Sequence, residues 1–217
     1  MRQLLRQCRI RFRIKRACFR LQARWQTAAA FGKAASGRQG LEADGAATDG
    51  KRRLSGGAII AAIKASGIEY ILSVPDITTS SGLLAPIAQN PAFRLIRVCK
   101  EDECVGIASG LFYSDKRALM LIQHTGFLDS INAIRGVAVE YKQPICMMIG
   151  LLQHDPDKPP RESPRYGVRI VEPILDDMGI PHHLISLDAD VAKIQPAIEN
   201  AYRQSRAVAF LVGRSPS

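Results

Sequence analysis

Acidic residues are missing from the first 41 positions of this 217-residue chain, while eleven Lys and Arg stand there. Cys-x-x-C pairs are missing too: five cysteines (Cys8, Cys18, Cys99, Cys104 and Cys146) are scattered and odd in number. That excludes a disulfide framework and a zinc knuckle, and it fits a reducing compartment. Aromatic residues make up only 6% of the chain. No run approaches the roughly 18 apolar residues that a membrane-spanning helix needs. Gly-x-Gly-x-x-Gly and Gly-x-x-x-x-Gly-Lys-Ser/Thr are both absent, which argues against dinucleotide and P-loop phosphate sites. There is no internal repeat, and Gly-Asp-Gly does not occur.

The formal charge of +10 invites a nucleic-acid reading, but its distribution answers it. Residues 1–53 hold fourteen Lys/Arg against three acids; residues 54–217 hold sixteen against seventeen. The basicity belongs to the tail, and the remainder is neutral. The first 53 residues are expected to be a disordered basic tail and linker. Three origins compete: an organelle transit peptide, a basic arm for RNA or membranes, or an extension from an upstream start site. The third is favoured, because nothing in the rest of the chain needs the tail. No membrane partner and no nucleic-acid partner is expected, and the cysteine usage suits the cytoplasm.

From Leu54 onward, apolar strands alternate with helical patterns. Strands are expected at Tyr70–Val74, Phe93–Cys99, Ala118–Gln123, Ile145–Leu151, His183–Leu187 and Ala207–Val212. Helices are expected at Ala58–Ser66, Gly82–Gln89 with its cap in Thr78–Ser81, Phe127–Tyr141, Val168–Met178 and Val191–Gln204. A further helix follows Glu101, with Cys104, Ile107, Ala108 and Leu111 on one stripe. The alternation argues an α/β domain over 54–217. Its architecture is three-layer α/β/α around a parallel sheet of about six strands. Residues 153–166, with four prolines, are too long for a plain connection and form a candidate binding loop.

Polar groups gather where strands end. Glu101, Asp102 and Glu103 follow the second strand; they are either a solvated N-terminal charge cluster or a functional acid at the carboxyl edge of the sheet. His124-Thr125-Gly126 follow the third strand. They read as a capping turn with Thr125 as N-cap, or as a surface facing a ligand. His182 and His183 lack a third ligand at metal spacing, and Ser109 lacks a nucleophile elbow.

Together these segments resemble the pyrimidine-binding (PYR) domain of thiamine-diphosphate enzymes, nearest to the sulfopyruvate decarboxylase alpha subunit and the matching part of phosphonopyruvate decarboxylase. The resemblance covers about residues 54–213. It is carried by Ser73-Val74-Pro75-Asp76, by Lys100-Glu101-Asp102 with Gly110 nine residues after the acid, by Gln123-His124-Thr125-Gly126 with Ser130-Ile131-Asn132, by Tyr141 to Pro144, and by Pro173-Ile174-Leu175 running to Gly179-Ile180-Pro181.

The resemblance implies that Glu101 is the catalytic acid. It would bond N1′ of the aminopyrimidine and favour the imino tautomer that prepares the thiazolium carbon for a 2-oxo acid. Pro75, Gln123, Thr125 and Gly126 join Glu101 as expected cofactor-binding residues. Asp76 and His124 are expected near the substrate. His124-Thr125-Gly126 stands where the family usually has Asn-Ser-Gly, and Gln153-His154 where alpha subunits tend to carry Arg-Gly. Arg161 and Arg165 are candidate donors to an anionic head group such as a sulfonate or phosphonate. The family anchors the diphosphate through Mg2+ on a separate diphosphate-binding (PP) domain with Gly-Asp-Gly and a later Asn. The resemblance therefore implies a partner beta subunit carrying that domain, and no metal ligands in this chain. A non-catalytic subunit of the same fold is the alternative.

Overall fold

A computed structural model describes residues 53–217. The tail and linker expected over 1–53 lie outside the described residues but for Arg53, whose carbonyl accepts a hydrogen bond from Asp188 N at 3.0 Å.

Six strands form one all-parallel sheet: β1 (Tyr70–Ser73), β2 (Arg94–Arg97), β3 (Ala118–Gln123), β4 (Cys146–Gly150), β5 (His182–Ile185) and β6 (Val208–Val212), in the order β2-β1-β3-β4-β6-β5. Helix α1 (Gly56–Ala65) precedes β1. A π-helical turn, Ser80–Leu84, runs into α2 (Ala85–Gln89). Then come α3 (Glu101–Phe112), α4 (His124–Asp129) and α5 (Ile131–Ile134), which continues as a π-helical stretch, Arg135–Glu140. After β4 lie a 3-10 turn (Pro160–Glu162), α6 (Tyr166–Arg169) and α7 (Val171–Asp177). A 3-10 stretch, Asp188–Lys193, leads into α8 (Ile194–Gln204).

Successive side chains of a strand point to opposite faces, so each strand feeds two cores. Leu119, Leu121, Cys146, Met148, Val208 and Phe210 pack under α1, α2 and α8. Met120, Ile122, Met147, Ile149, Ala209 and Leu211 pack under α3 to α7. The central strands are buried on both faces, which is why they read as unbroken apolar runs rather than alternating ones. Burying each Leu, Ile or Met side chain contributes about 1.5–3 kcal/mol. This packing, not helix propensity, sustains pieces as short as the four-residue α5, since isolated helices of that length do not form in water.

The α/β class, the three layers and the six parallel strands agree with expectation. The differences lie at boundaries. The second strand is four residues long and is an edge strand, with Arg94 and Arg97 exposed. The helix expected from Phe127 begins at His124 and is broken at Ser130. Ser130 Oγ donates to Gly126 O at 2.8 Å, the back-bonding that bends helices. The helix expected over Val168–Met178 begins at Tyr166 and breaks at Ile170. Among the described residues no helix is long and apolar enough to cross a membrane.

Candidate active site at the sheet switch point

The chain runs from β1 outward to β2, then crosses back over β1 to β3. The crevice between the carboxyl ends of β1 and β3 is therefore the topological switch point, where ligands bind in open α/β sheets. Ser73 Oγ donates to Leu121 O at 2.7 Å and ties the two strand ends together.

Two loops meet there. After β1, Pro75 is exposed and Asp76 is buried, at 2% exposure. The Asp76 carboxylate accepts from Thr78 N (3.1 Å), Thr79 N (3.0 Å), Thr79 Oγ1 (2.8 Å) and Gln123 Nε2 (2.9 Å). Asp76, rather than Thr78–Ser81, supplies the cap of the following helical turn. A Cβ on Gly150 would lie 2.1 Å from Asp76 Oδ2, so the loop presses on the end of β4. Sequence reasoning missed Gly150, whose only signal is a glycine closing an otherwise apolar strand.

After β2, the acidic triplet divides its labour. Glu103 Oε2 reaches back to accept from Cys99 N at 3.0 Å and from Lys100 N at 3.4 Å, capping α3. Asp102 pairs with exposed Lys100 at 3.5 Å, and Lys100 also pairs with Asp129 of α4 at 3.2 Å. Glu101 has neither job. Half-buried at the first position of α3, it makes no hydrogen bond or ion pair among the described residues. The solvated-cluster reading thus suits Asp102 and Glu103 and leaves Glu101 apart. Its side chain lies across Gly126 of α4: a Cβ there would stand 2.3 Å from Glu101 Cγ and from Oε1. Beneath it, burial and the three carboxylates push the Cys104 thiol up to about 12, so Cys104 stays protonated.

The turn after β3 is capped differently from expectation. Gln123 is the N-cap and His124 already opens the helix, which places Thr125 inside the first turn. Thr125 Oγ1 donates to Gln123 Oε1 at 2.7 Å, so Thr125, Gln123 and Asp76 form one hydrogen-bonded chain. His124 is buried, at 7% exposure. Its Nδ1 accepts from Leu152 N at 3.3 Å, which leaves the ring proton on Nε2. A Cβ on Gly167 would lie 3.2 Å from that Nε2. Burial lowers the His124 pKa against opposing pulls from the Gly150 carbonyl and Asp76, so the ring is neutral. His124 and Asp76, expected near substrate, are thus embedded in the frame around the crevice.

In the loop beyond β4, Arg161 is engaged by Glu172 at 3.3 Å and by Asp176. Arg169 donates to Ser163 O at 3.2 Å and lies over the Tyr166 ring. The Arg165 guanidinium, exposed at the start of α6, has no carboxylate or carbonyl partner among the described residues. Among those residues no group of three His, Cys, Asp or Glu is placed to hold a metal.

The model of the thiamine pyrophosphate enzyme N-terminal TPP binding domain matches residues 55–153, which hold Pro75, Asp76, Glu101 and the Gln123–Gly126 turn. The chain is 30% identical over 155 residues to sulfopyruvate decarboxylase subunit alpha of Methanocaldococcus jannaschii, covering 71% of this chain and 90% of that one. The subunit alpha of Methanothermobacter thermautotrophicus is 30% identical over 92 residues, 42% of this chain and 55% of its own. A sulfopyruvate decarboxylase of Methanosarcina acetivorans is 25% identical over 155 residues, 68% of this chain but 37% of its own length.

Gly126→Ala tests the contact with Glu101. In a helix this change normally gains about 0.5–1 kcal/mol. Here the methyl must push aside the flexible, half-buried glutamate side chain, so denaturant melts should show that gain reduced or abolished rather than realised in full. Acid provides a second test. His124, His154 and His183 all have pKa values lowered first by burial. The unfolded chain binds their protons below about pH 6.5 while the folded chain does not. Unfolding free energy should be fully present above that pH and fall below it, and His124→Asn should flatten the fall.

Proposed function

The chain belongs to the thiamine pyrophosphate enzyme family, on its sulfopyruvate decarboxylase alpha-subunit branch, and on that premise we propose that it is the alpha, pyrimidine-binding subunit of a thiamine-diphosphate-dependent 2-oxo acid decarboxylase, with residues 54–217 as its PYR-type domain. The observation that carries this reading is the carboxylate of Glu101: half-buried, unpartnered among the described residues, and held over Gly126 at the switch point. The donor set fits the cofactor's aminopyrimidine edge. A carboxylate with free acceptor positions can share a proton with a ring nitrogen, and the glycine under it gives the glutamate side chain room to lie against α4.

When bound, thiamine diphosphate supplies a carbon nucleophile and an electron sink for the charge left as carbon dioxide departs. The protein's part is proton management and positioning. Glu101 Oε would share and exchange a proton with the pyrimidine nitrogen. It stands in the first turn of α3, and the protonated Cys104 of the same helix adds no competing charge. The Asp76–Gln123–Thr125 chain fixes the two loops, so that Pro75 and Gly126 keep a constant gap. Pro75, Gln123, Thr125 and Gly126 are the residues we assign to holding the cofactor, and the neutral His124 frames the substrate end.

The printed names of the relatives point to sulfopyruvate, and we carry that substrate to this chain, with phosphonopyruvate as its isostere. Arg165, which has no carboxylate or carbonyl partner among the described residues, is assigned to the anionic head group; Arg161 is already occupied by Glu172 and Asp176. Two of these relatives are called subunit alpha, and most of the Methanosarcina protein lies outside the part that this chain matches. We therefore place the PP domain and the Mg2+ ligands on a partner beta subunit. The free thiols Cys99, Cys104 and Cys146 suit the cytoplasm.

Glu101→Gln, assembled with the partner, should keep the fold and lose about 10²–10⁴-fold in kcat for sulfopyruvate decarboxylation. Near-wild-type turnover would remove Glu101 from the chemistry. Arg165→Ala should raise KM for sulfopyruvate and phosphonopyruvate about tenfold or more, a loss of one charge-assisted hydrogen bond, while leaving pyruvate little changed. An equal effect on all three acids would detach Arg165 from the head group.

A further inference from the structure

The opposite, amino edge of the sheet carries a cleft that decarboxylation does not use. It encloses about 370 Å3, within the rough range of 300–1,000 Å3 for small-molecule sites. Three helix-to-strand turns meet there, before β4, β5 and β6. The five residues of β4, about 16 Å of strand, separate it from the crevice at Glu101.

Its lining has a definite chemistry. Ala138, Val139, Met178 and Ile180 contribute apolar wall, and Lys142 and Arg206 contribute two positive charges. Among the described residues no Asp or Glu lines it. Neither cation has a carboxylate partner among the described residues; Arg206 Nη2 makes only a long contact, 3.4 Å, to Gly179 O.

Three backbone N–H groups of the turns are already committed. Gly179 N and Ile180 N donate to Asp176 O (2.8 Å) and Leu175 O (2.9 Å), and Arg206 N donates to Ala201 O at 2.9 Å. The charged groups in the lining are the two side chains. Lys142 is held at φ 54 and Ser205 at φ 49, a left-handed conformation that glycine adopts freely and other residues rarely do. A turn needing only that geometry would be better served by glycine at 142. The lysine brings a charge instead.

We propose that this cleft is a second binding site, for a small organic anion: an acidic head group held between Lys142 and Arg206, with a short apolar body against Met178 and Ile180. The competing role for the cations is to complement the helix C-termini on which they sit. That role asks for positive charge but for no ligand.

The test uses the full chain, labelled with 13C in its Met and Ile methyl groups, and titrates hexanoate with hexylammonium as the charge-reversed control. The Met178 and Ile180 methyl resonances should shift saturably with hexanoate at millimolar concentration and not with hexylammonium. Lys142→Gly relieves the left-handed backbone and so keeps the fold; it should weaken hexanoate binding at least tenfold, and Arg206→Gln should do the same. Equal binding of hexylammonium, absence of saturable shifts at those methyls, or unchanged hexanoate affinity in Lys142→Gly would each overturn the proposal.

Discussion

The close approach of Glu101 to the Cα of Gly126 is the constraint on which the site depends. It joins the loop after β2 to the loop after β3 across the intervening β1, and it leaves no space for even a methyl group between them. The surrounding architecture serves that approach. Glu103 caps α3 and so frees Glu101 from capping. Lys100 bridges to Asp129, which fixes α4 against α3. Ser130 bends the helix just after Gly126. Each contact is modest, and an exposed pair such as Lys100–Asp129 is weakened further by solvent screening. Together they position the start of α3 against α4 and leave the Glu101 carboxylate without a partner among the described residues.

Asp76 is the second organising group. A buried carboxylate is costly unless its oxygens are hydrogen-bonded. Four donors from the β1 loop and from Gln123 meet that need. The same bonds carry order from β1 through Gln123 to Thr125, along the rim of the crevice. His124, neutral and wedged between Leu152 and Gly167, extends the frame to the loop beyond β4. A rigid rim around a half-open carboxylate suits a cofactor that must be held still while a proton moves.

Much of this was legible from residues alone. Apolar runs such as ALMLIQ and CMMIG announce buried parallel strands, and their alternation with helical stripes announces three layers. Glu101 stood out by position, at a strand end opening a helix. What the sequence did not reveal was which member of Glu101-Asp102-Glu103 was spare. That depends on side-chain reach: Glu103, three residues after the N-cap, can return to Cys99 and Lys100, whereas Glu101 cannot. The start of α4 was misplaced for a similar reason. Thr125 is a good N-cap residue, but it is taken by Gln123, whose amide in turn is taken by Asp76 from a distant loop. The edge position of β2 was also hidden, since strand order is a tertiary property. The cleft at Lys142 and Arg206 could not have been found, because its three turns are far apart in the chain.

The most direct measurement is a structure of this chain assembled with its partner and thiamine diphosphate. The account predicts a Glu101 carboxylate oxygen within a charge-assisted hydrogen bond of the pyrimidine ring nitrogen, about 2.7–2.9 Å, with Gly126 lying under the glutamate side chain. A pyrimidine bound away from the β1/β3 crevice, or a Glu101 turned to solvent beyond hydrogen-bond reach of the ring, would contradict it.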